Sequence, residues 1–517
     1  MRKIGVWGPG ILAGALVTLA VMYHWIGWSL LPGGGCGDGI PCPHGSTPLL
    51  LLAFLFTFTG VGALALAFAL TGRATVGETA VQDAVPGTRP GSRLLLRGAV
   101  PVVLGAALVV LPGLRFADWL RGPQPLHTGW TAAADRPSTV RAVAVWSSGA
   151  AVVRVRQDGL RAFRAADGGE LWSQDAPARA SVCAASPQAV DGLAVVGYSR
   201  NGAPCATVGA VDLLTGRQLW TLDGLDASAD PGGDAVALSP ELALLREQSR
   251  IRAVGAHDGR ERWRHQAGAG CTESAVTASA TRLVALEFCV GGDGPLTGRS
   301  TLVGLSPANG AVLWHGDLPT ESSAEIGFLS TDPLVLDVQE RDDRGVHAVL
   351  SFDGQGKPLA TIATSQQDGD LALSNTGTLG FAAAPVRLAA VADGTLVTTA
   401  TPSRQGLSTT LTAFSLTDGH RLWSDALGAR VTALTPPGDG SRTVTAVLEG
   451  ESWTGEDIVQ RFDAADGRSL ARTVYDGVPR GQADWLGRFG DRYVLVSSDG
   501  TGDRAPLLGL PAPGAAG

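Results

Sequence analysis

Three stretches near the start of the chain carry no Asp, Glu, Lys or Arg: residues 11–31, 49–70 and 99–114. A helix needs about 20 apolar residues to cross the hydrocarbon of a bilayer, and about 17 at the low end. The first two stretches meet this. The third is shorter and has Pro101 and Pro112 near its ends, and we read it as a third span. Trp7, Trp25, Trp28 and Trp119 fall where membrane interfaces are expected. From about residue 125 the pattern changes to short alternating apolar runs broken by Gly-containing turns, which is strand periodicity.

Short-loop charges set an orientation. Arg2 and Lys3 precede the first span, and Arg73, Arg89, Arg93 and Arg97 follow the second, whereas residues 32–48 contain no Lys or Arg. Positive residues stay cytoplasmic. The N-terminus and the 71–97 loop are then inside, and the chain beyond the third span is outside, although Arg115 and Arg121 oppose this weakly. The first apolar run is longer than a signal-peptide core and no small-x-small cleavage site follows it, so it reads as an uncleaved anchor. The expected organisation is a membrane anchor over 1–120, an extracytoplasmic β domain over 125–511 and a disordered tail over 512–517. The localisation implied is a multi-pass cell-membrane protein.

The β region repeats itself. The unit reads apolar-x-Ala-apolar, a polar turn containing Gly, then Leu-Trp. Copies end at Trp172, Trp220, Trp263, Trp314 and Trp423, and two degenerate copies end at Ala360 and Ala471. Gly stands four positions before each end, at Gly168, Gly216, Gly259, Gly310, Gly356, Gly419 and Gly467. Such turns join strands into hairpins because Gly tolerates a positive φ. A Trp on the departing strand buries a large apolar surface and is expected to lock each unit to its neighbour. The ends recur about 43–63 residues apart, the period of four-stranded propeller blades. The longest spacing, before Trp423, is read as an insertion. After the seventh copy only three further strands are legible, over 483–489, 492–497 and 506–510. Trp130 lies one blade period before Trp172 and is expected to supply the missing outer strand. The prediction is an all-β propeller of eight blades, with seven as the alternative, after three transmembrane helices.

The six cysteines, Cys36, Cys42, Cys183, Cys205, Cys271 and Cys289, all fall in segments placed outside, where disulfides form. Pairing by neighbours keeps Cys183–Cys205 and Cys271–Cys289 each within one repeat, and leaves Cys36–Cys42. The spacings do not suit zinc. Thiol exchange at Cys36 and Cys42 is the alternative to a structural bridge there.

These units resemble the PQQ-like, or quinoprotein-type, propeller repeat. Ala210, Asp212, Thr215, Gly216 and Trp220 match its A-x-D-x-x-T-G-x-x-x-W signature, the other units match in part, and the resemblance covers about 125–510. It implies that the Trp residues dock adjacent blades. It also implies one of two functional classes: quinone-dependent dehydrogenases, or non-enzymatic binders. The dehydrogenases use a quinone, a calcium ion and an Asp base, and alcohol oxidisers often carry adjacent cysteines. This chain has no Cys-Cys pair, and its only asparagines are Asn201, Asn309 and Asn375.

Other chemistry is equally thin. No G-x-S-x-G elbow, H-E-x-x-H or P-loop occurs. Asp342, Asp343, Asp368 and Asp370 read as solvated loop carboxylates, His257 and His420 as turn residues, and His24 as an interfacial histidine. The net charge of −8 and the absence of basic runs speak against nucleic acid. The expectation is therefore a non-enzyme with no cofactor: a scaffold or ligand sensor whose partners are the membrane and an envelope protein or small ligand at the propeller face. A PQQ-dependent oxidoreductase is the alternative.

Overall fold

The computed structural model describes residues 4–30, 46–78, 91–121, 126–135, 137, 140–200, 205–227, 235–290, 298–320, 324–340, 344–366, 369–373, 388–401, 409–427, 429–435, 442–449, 457–476, 484–497 and 505–512. Cys36, Cys42, Asn201, Asn375, Asp342, Asp343, Asp368 and all of the predicted tail but Ala512 lie outside them. Two compact units divide near residue 124.

The first unit contains three helices, α1 (Ile4–Leu30), α2 (Ser46–Glu78) and α3 (Gly91–Arg121). Close approach of α1 and α3 depends on two glycines. A Cβ at Gly14 would lie 2.0 Å from the Val102 carbonyl oxygen, and one at Gly105 2.0 Å from that of Ile11. Small residues permit such backbone proximity in apolar bundles. Tyr23, Leu49, Ala53 and Ala117 form the buried centre. His24 sits 3.3 Å from the Thr57 hydroxyl and edge-on to Phe54. Two helices are long and apolar enough to cross a membrane, over Ile11–Trp28 and Pro48–Leu66. The third expected span falls short of that measure: α3 is a long helix, but its apolar stretch is only Val102–Ala117. In the sequence, the charge-free run is confined to residues 98–114, between Arg97 and Arg115.

The second unit is an eight-bladed β-propeller. In chain order the blades occupy residues 142–175, 180–227, 236–266, 271–317, 324–363, 365–426, 430–476 and 485–511, and we number them 1 to 8. Blade 8 takes its outer strand, Trp130–Thr131, from the start of the domain, with Trp130 opposite Gly509. Blade 7 carries an additional strand, Leu126–His127, parallel to its Ser469–Asp476 strand. Blade 6 holds the insertion: Gly369–Ala372 and Ala389–Ala392 both pair with Thr395–Thr401. Inner strands are buried on both faces because blades stack on each side of them, as in Ala151–Arg156 and Leu242–Arg246. Outer strands alternate between buried and exposed positions, as in Glu261–Gln266.

The repeat motif has a geometric explanation. All seven turn glycines have φ between 66° and 77°. Six tryptophans lie against such a glycine in the following blade: Trp130 on Gly168, Trp172 on Gly216, Trp220 on Gly259, Trp263 on Gly310, Trp314 on Gly356 and Trp423 on Gly467. Four indole N–H groups also donate to a backbone carbonyl three residues before that glycine, at Leu213, Ala256, Pro307 and Ala464, over 2.8–3.1 Å. The Ala of the motif is the cross-strand partner of the Trp: Ala162 faces Trp172, Ala210 faces Trp220, Ala253 faces Trp263 and Ala413 faces Trp423. Gly304 and Gly509 fill that position opposite Trp314 and Trp130. Where Ala360 and Ala471 replace the indole, the partner becomes Ser351 and Arg461.

Candidate functional site

A propeller has two faces. On one, the first and second strands and the third and fourth strands of each blade are joined; all seven Gly turns lie there. On the other, the second and third strands are joined and successive blades are linked. Long connections collect on this second face, between Ala227 and Val236, Val290 and Gly298, Thr401 and Thr410, Glu449 and Asp457, Asp476 and Trp485, and Val496 and Leu507. Loops of varied length on a rigid scaffold are where binding function concentrates. We call the two faces the turn face and the loop face.

Three groups of buried or half-buried charge lie towards the loop face. The first closes the ring. Asp135 pairs with both Arg154 and Arg156 of blade 1; the Arg156 contact is 3.0 Å. Arg154 Nη2 donates to the Ser497 carbonyl of blade 8 at 2.9 Å, and Arg156 is also held by Asp158 at 2.8 Å. Both guanidinium groups are fully buried. Burial lowers the Arg154 pKa and the Asp135 charge opposes that shift.

The second group lies between blades 3 and 4. His265 is on the outer strand of blade 3, Glu273 on the first strand of blade 4 and Glu287 on its second, directly opposite Glu273. His265 Nε2 is 3.4 Å from Glu287 Oε1 and 3.9 Å from Glu273 Oε1. The hydrogen bond to His265 lowers the Glu287 pKa, and the same bond raises that of His265. Glu273 is different: burial, reinforced by the Glu287 charge, pushes its carboxyl up to about 8. Arg246 Nη1 donates to the Glu273 backbone carbonyl at 3.1 Å.

The third group lines a polar cleft of about 340 Å³ between blades 5 and 6. Gln339 donates to Asp337 at 2.7 Å and contacts His347 Nδ1 at 2.9 Å, while Ser365 donates to Asp370 at 2.9 Å. Burial raises the Asp337 pKa.

The disulfides Cys183–Cys205 and Cys271–Cys289 are formed in blades 2 and 4. The first passes over the intervening strand at Gly197, where a Cβ would lie 3.5 Å from each sulfur. The second joins directly opposed residues, two pairs along from Glu273–Glu287, after which the strand bulges. Asp418 holds His420 in its turn. Sequence reasoning did not single out Asp135, Arg154, Arg156, His265, Glu273, Glu287 or Asp337. All but His265, which sits in the polar strand Glu261–Gln266, are charged residues in or beside an apolar strand run, and that interruption was the available signal.

As for metals, the described residues contain two groups of three donors, Cys271–Glu287–Cys289 and His265–Glu273–Glu287. Both cysteines of the first are consumed in a disulfide.

Docked indoles, turn glycines and ring closure together define a quinoprotein-type β-propeller. The family model described as outer membrane protein assembly factor BamB matches residues 127–285 and 235–424, and the chain belongs to that family. No curated protein matches it significantly. Among solved structures, BamB from Moraxella catarrhalis is 12% identical, with a TM-score of 0.41, over 76% of this chain and 99% of that one. The quinohemoprotein alcohol dehydrogenase ADHIIG from Pseudomonas putida HK5 is also 12% identical, with a TM-score of 0.43, over 76% and 77%. A europium-containing methanol dehydrogenase is 10% identical, with a TM-score of 0.42, over 72% and 85%. Likenesses this remote do not bear on activity.

Proposed function

We propose that this chain is a non-catalytic scaffold or ligand-sensing propeller, anchored in the cell membrane and exposed outside the cytoplasm. The observation that carries the reading is the asymmetry of the two faces. The seven Gly turns of the repeat lie on one, and six longer connections of differing length join strands on the other. Membership of a family described by an assembly factor agrees with protein binding at the envelope.

The side of the membrane follows from parity. Two paired cysteines in each of two blades call for an oxidising compartment. With Arg2 and Lys3 inside, α1 and α2 alone would return the chain to the cytoplasm. α3 is then the third crossing, its short apolar stretch accommodated by local thinning of the bilayer. Maleimide labelling of intact cells tests this with single cysteines placed at Asp258 and Asp418; labelling only after lysis would reverse the topology.

Photo-crosslinking groups placed at Arg179, Gln248, Ala269 and Arg344 sample the loop face, and others at Asp167, Asp258 and Asp418 sample the turn face. Discrete adducts from the first set and none from the second are expected. Adducts equally from both sets sink the loop-face reading. Dye-linked alcohol oxidation by the purified chain with added quinone and calcium would instead make it an oxidoreductase.

A further inference from the structure

We propose that His265, Glu273 and Glu287 form a binding site for a divalent transition-metal ion, between blades 3 and 4 and beneath the loop face. The three donor atoms lie within 4.8 Å of one another. Bonds of about 2.0–2.2 Å from nitrogen and carboxylate to zinc place two ligands of one ion roughly 3–4 Å apart. The separations from His265 Nε2, 3.4 Å and 3.9 Å, fall in that range.

The state of Glu273 supplies the independent reason. Its residue is 2% exposed, and neither carboxylate oxygen has a hydrogen-bond partner. Buried carboxylates are normally satisfied, and each exception calls for an explanation. Here the open oxygens face an imidazole nitrogen and a second carboxylate. Two carboxylates directly opposite across a strand pair repel each other, and a cation between them removes that repulsion.

The surroundings suit a fixed site. The Gly268 N–H donates to Glu287 Oε2 at 3.2 Å, which leaves Oε1 towards the histidine. The Gly310 backbone also bonds the His265 ring. The Cys271–Cys289 disulfide clamps the two strands that carry the glutamates. Arg246 lies beside the group and opposes a cation, but one guanidinium stands against two carboxylates. An imidazole ligand selects a zinc-like ion over calcium, which prefers oxygen donors throughout.

The test uses the full chain in detergent, stripped with a chelator and dialysed against Zn²⁺. We expect about one zinc per chain by elemental analysis and a rise in Tm on adding the ion. Glu273→Gln keeps the shape and removes one ligand charge, so folding is not at stake. It is expected to weaken zinc binding by at least about tenfold, as is His265→Gln, while His257→Gln in an exposed turn leaves binding unchanged. The proposal is overturned by any of three results: no zinc retained by the wild type, undiminished zinc in folded Glu273→Gln, or retention of calcium in preference to zinc.

Discussion

Trp130 packs on Gly168, and a Cβ at that glycine would come within 2.4 Å of the indole. The contact joins blade 8 to blade 1 and repeats the one that every other Trp of the motif makes with its neighbour. Trp130→Ala should therefore cost about 3–5 kcal/mol, as for other large aromatic truncations. Gly168→Ala should also destabilise, because it meets both the indole and a φ of 71°. Denaturant unfolding of the two variants checks this. A loss below about 1 kcal/mol for Trp130→Ala would mean that the ring is held shut elsewhere.

The cross-strand partner of each Trp is small, and this gives a second test. Ala253 faces Trp263 and is fully buried. Ala253→Leu should overpack the blade and cost about 1–3 kcal/mol. At the degenerate position, Arg461 already faces Ala471, so Ala471→Leu should be tolerated better. Equal losses at both sites would show that the small partner is not what accommodates the indole.

Glu273 makes stability depend on pH in the metal-free protein. Its folded-state pKa, about 8, lies above the unfolded value near 4.5. A raised pKa gives stability that is fully present below about pH 4.5 and lost as pH rises through about 8. Glu273→Gln should then match the wild type near pH 4 and exceed it near pH 9, by an amount on the order of a few kcal/mol. Tm measured across this range in chelator reads the difference. Parallel curves for the two proteins would contradict a neutral, buried Glu273.

The disulfides close chain separations of 22 and 18 residues. Removing either by paired Cys→Ala substitution should cost about 2–4 kcal/mol. Mass spectrometry after alkylation of the non-reduced protein should find Cys183, Cys205, Cys271 and Cys289 all unmodified. Alkylation at any of the four in protein taken from the cell envelope would contradict an oxidised propeller.

The propeller was legible because its determinants are local and repeated. A Gly at fixed distance from a Trp is visible without knowing what the indole touches, and Trp130 could be assigned to ring closure from spacing alone. The buried charges were not legible in the same way. His265, Glu273 and Glu287 come from three strands of two blades, and only the fold brings them together. Glu273 and Glu287 do interrupt apolar strands, but an isolated charge in a strand does not reveal its partner. For the third helix, composition marks where an apolar run lies, but Arg97 and Arg115 keep the charge-free run shorter than those of the first two.

Asp135 should be as important to closure as Trp130, for an electrostatic reason. It is the carboxylate in direct contact with Arg154, with Asp484 acting on that charge from further away, whereas Arg156 keeps Asp158 as a second direct partner. Asp135→Ala leaves the Arg154 charge buried with no carboxylate in contact and only Asp484 acting on it from further away, at a cost of up to about 3–5 kcal/mol. Removing both members, as Asp135→Leu with Arg154→Met, replaces the pair by apolar groups and should recover most of that loss, since a buried ion pair contributes little against a well-packed apolar substitute. Arg156 is spared in this double variant because Asp158 still neutralises it. Urea unfolding of the single and double variants gives the coupling between the two sites. A double variant less stable than Asp135→Ala would show that Arg154 acts chiefly through its bond to the Ser497 carbonyl, tying blade 8 to blade 1, and not through its charge.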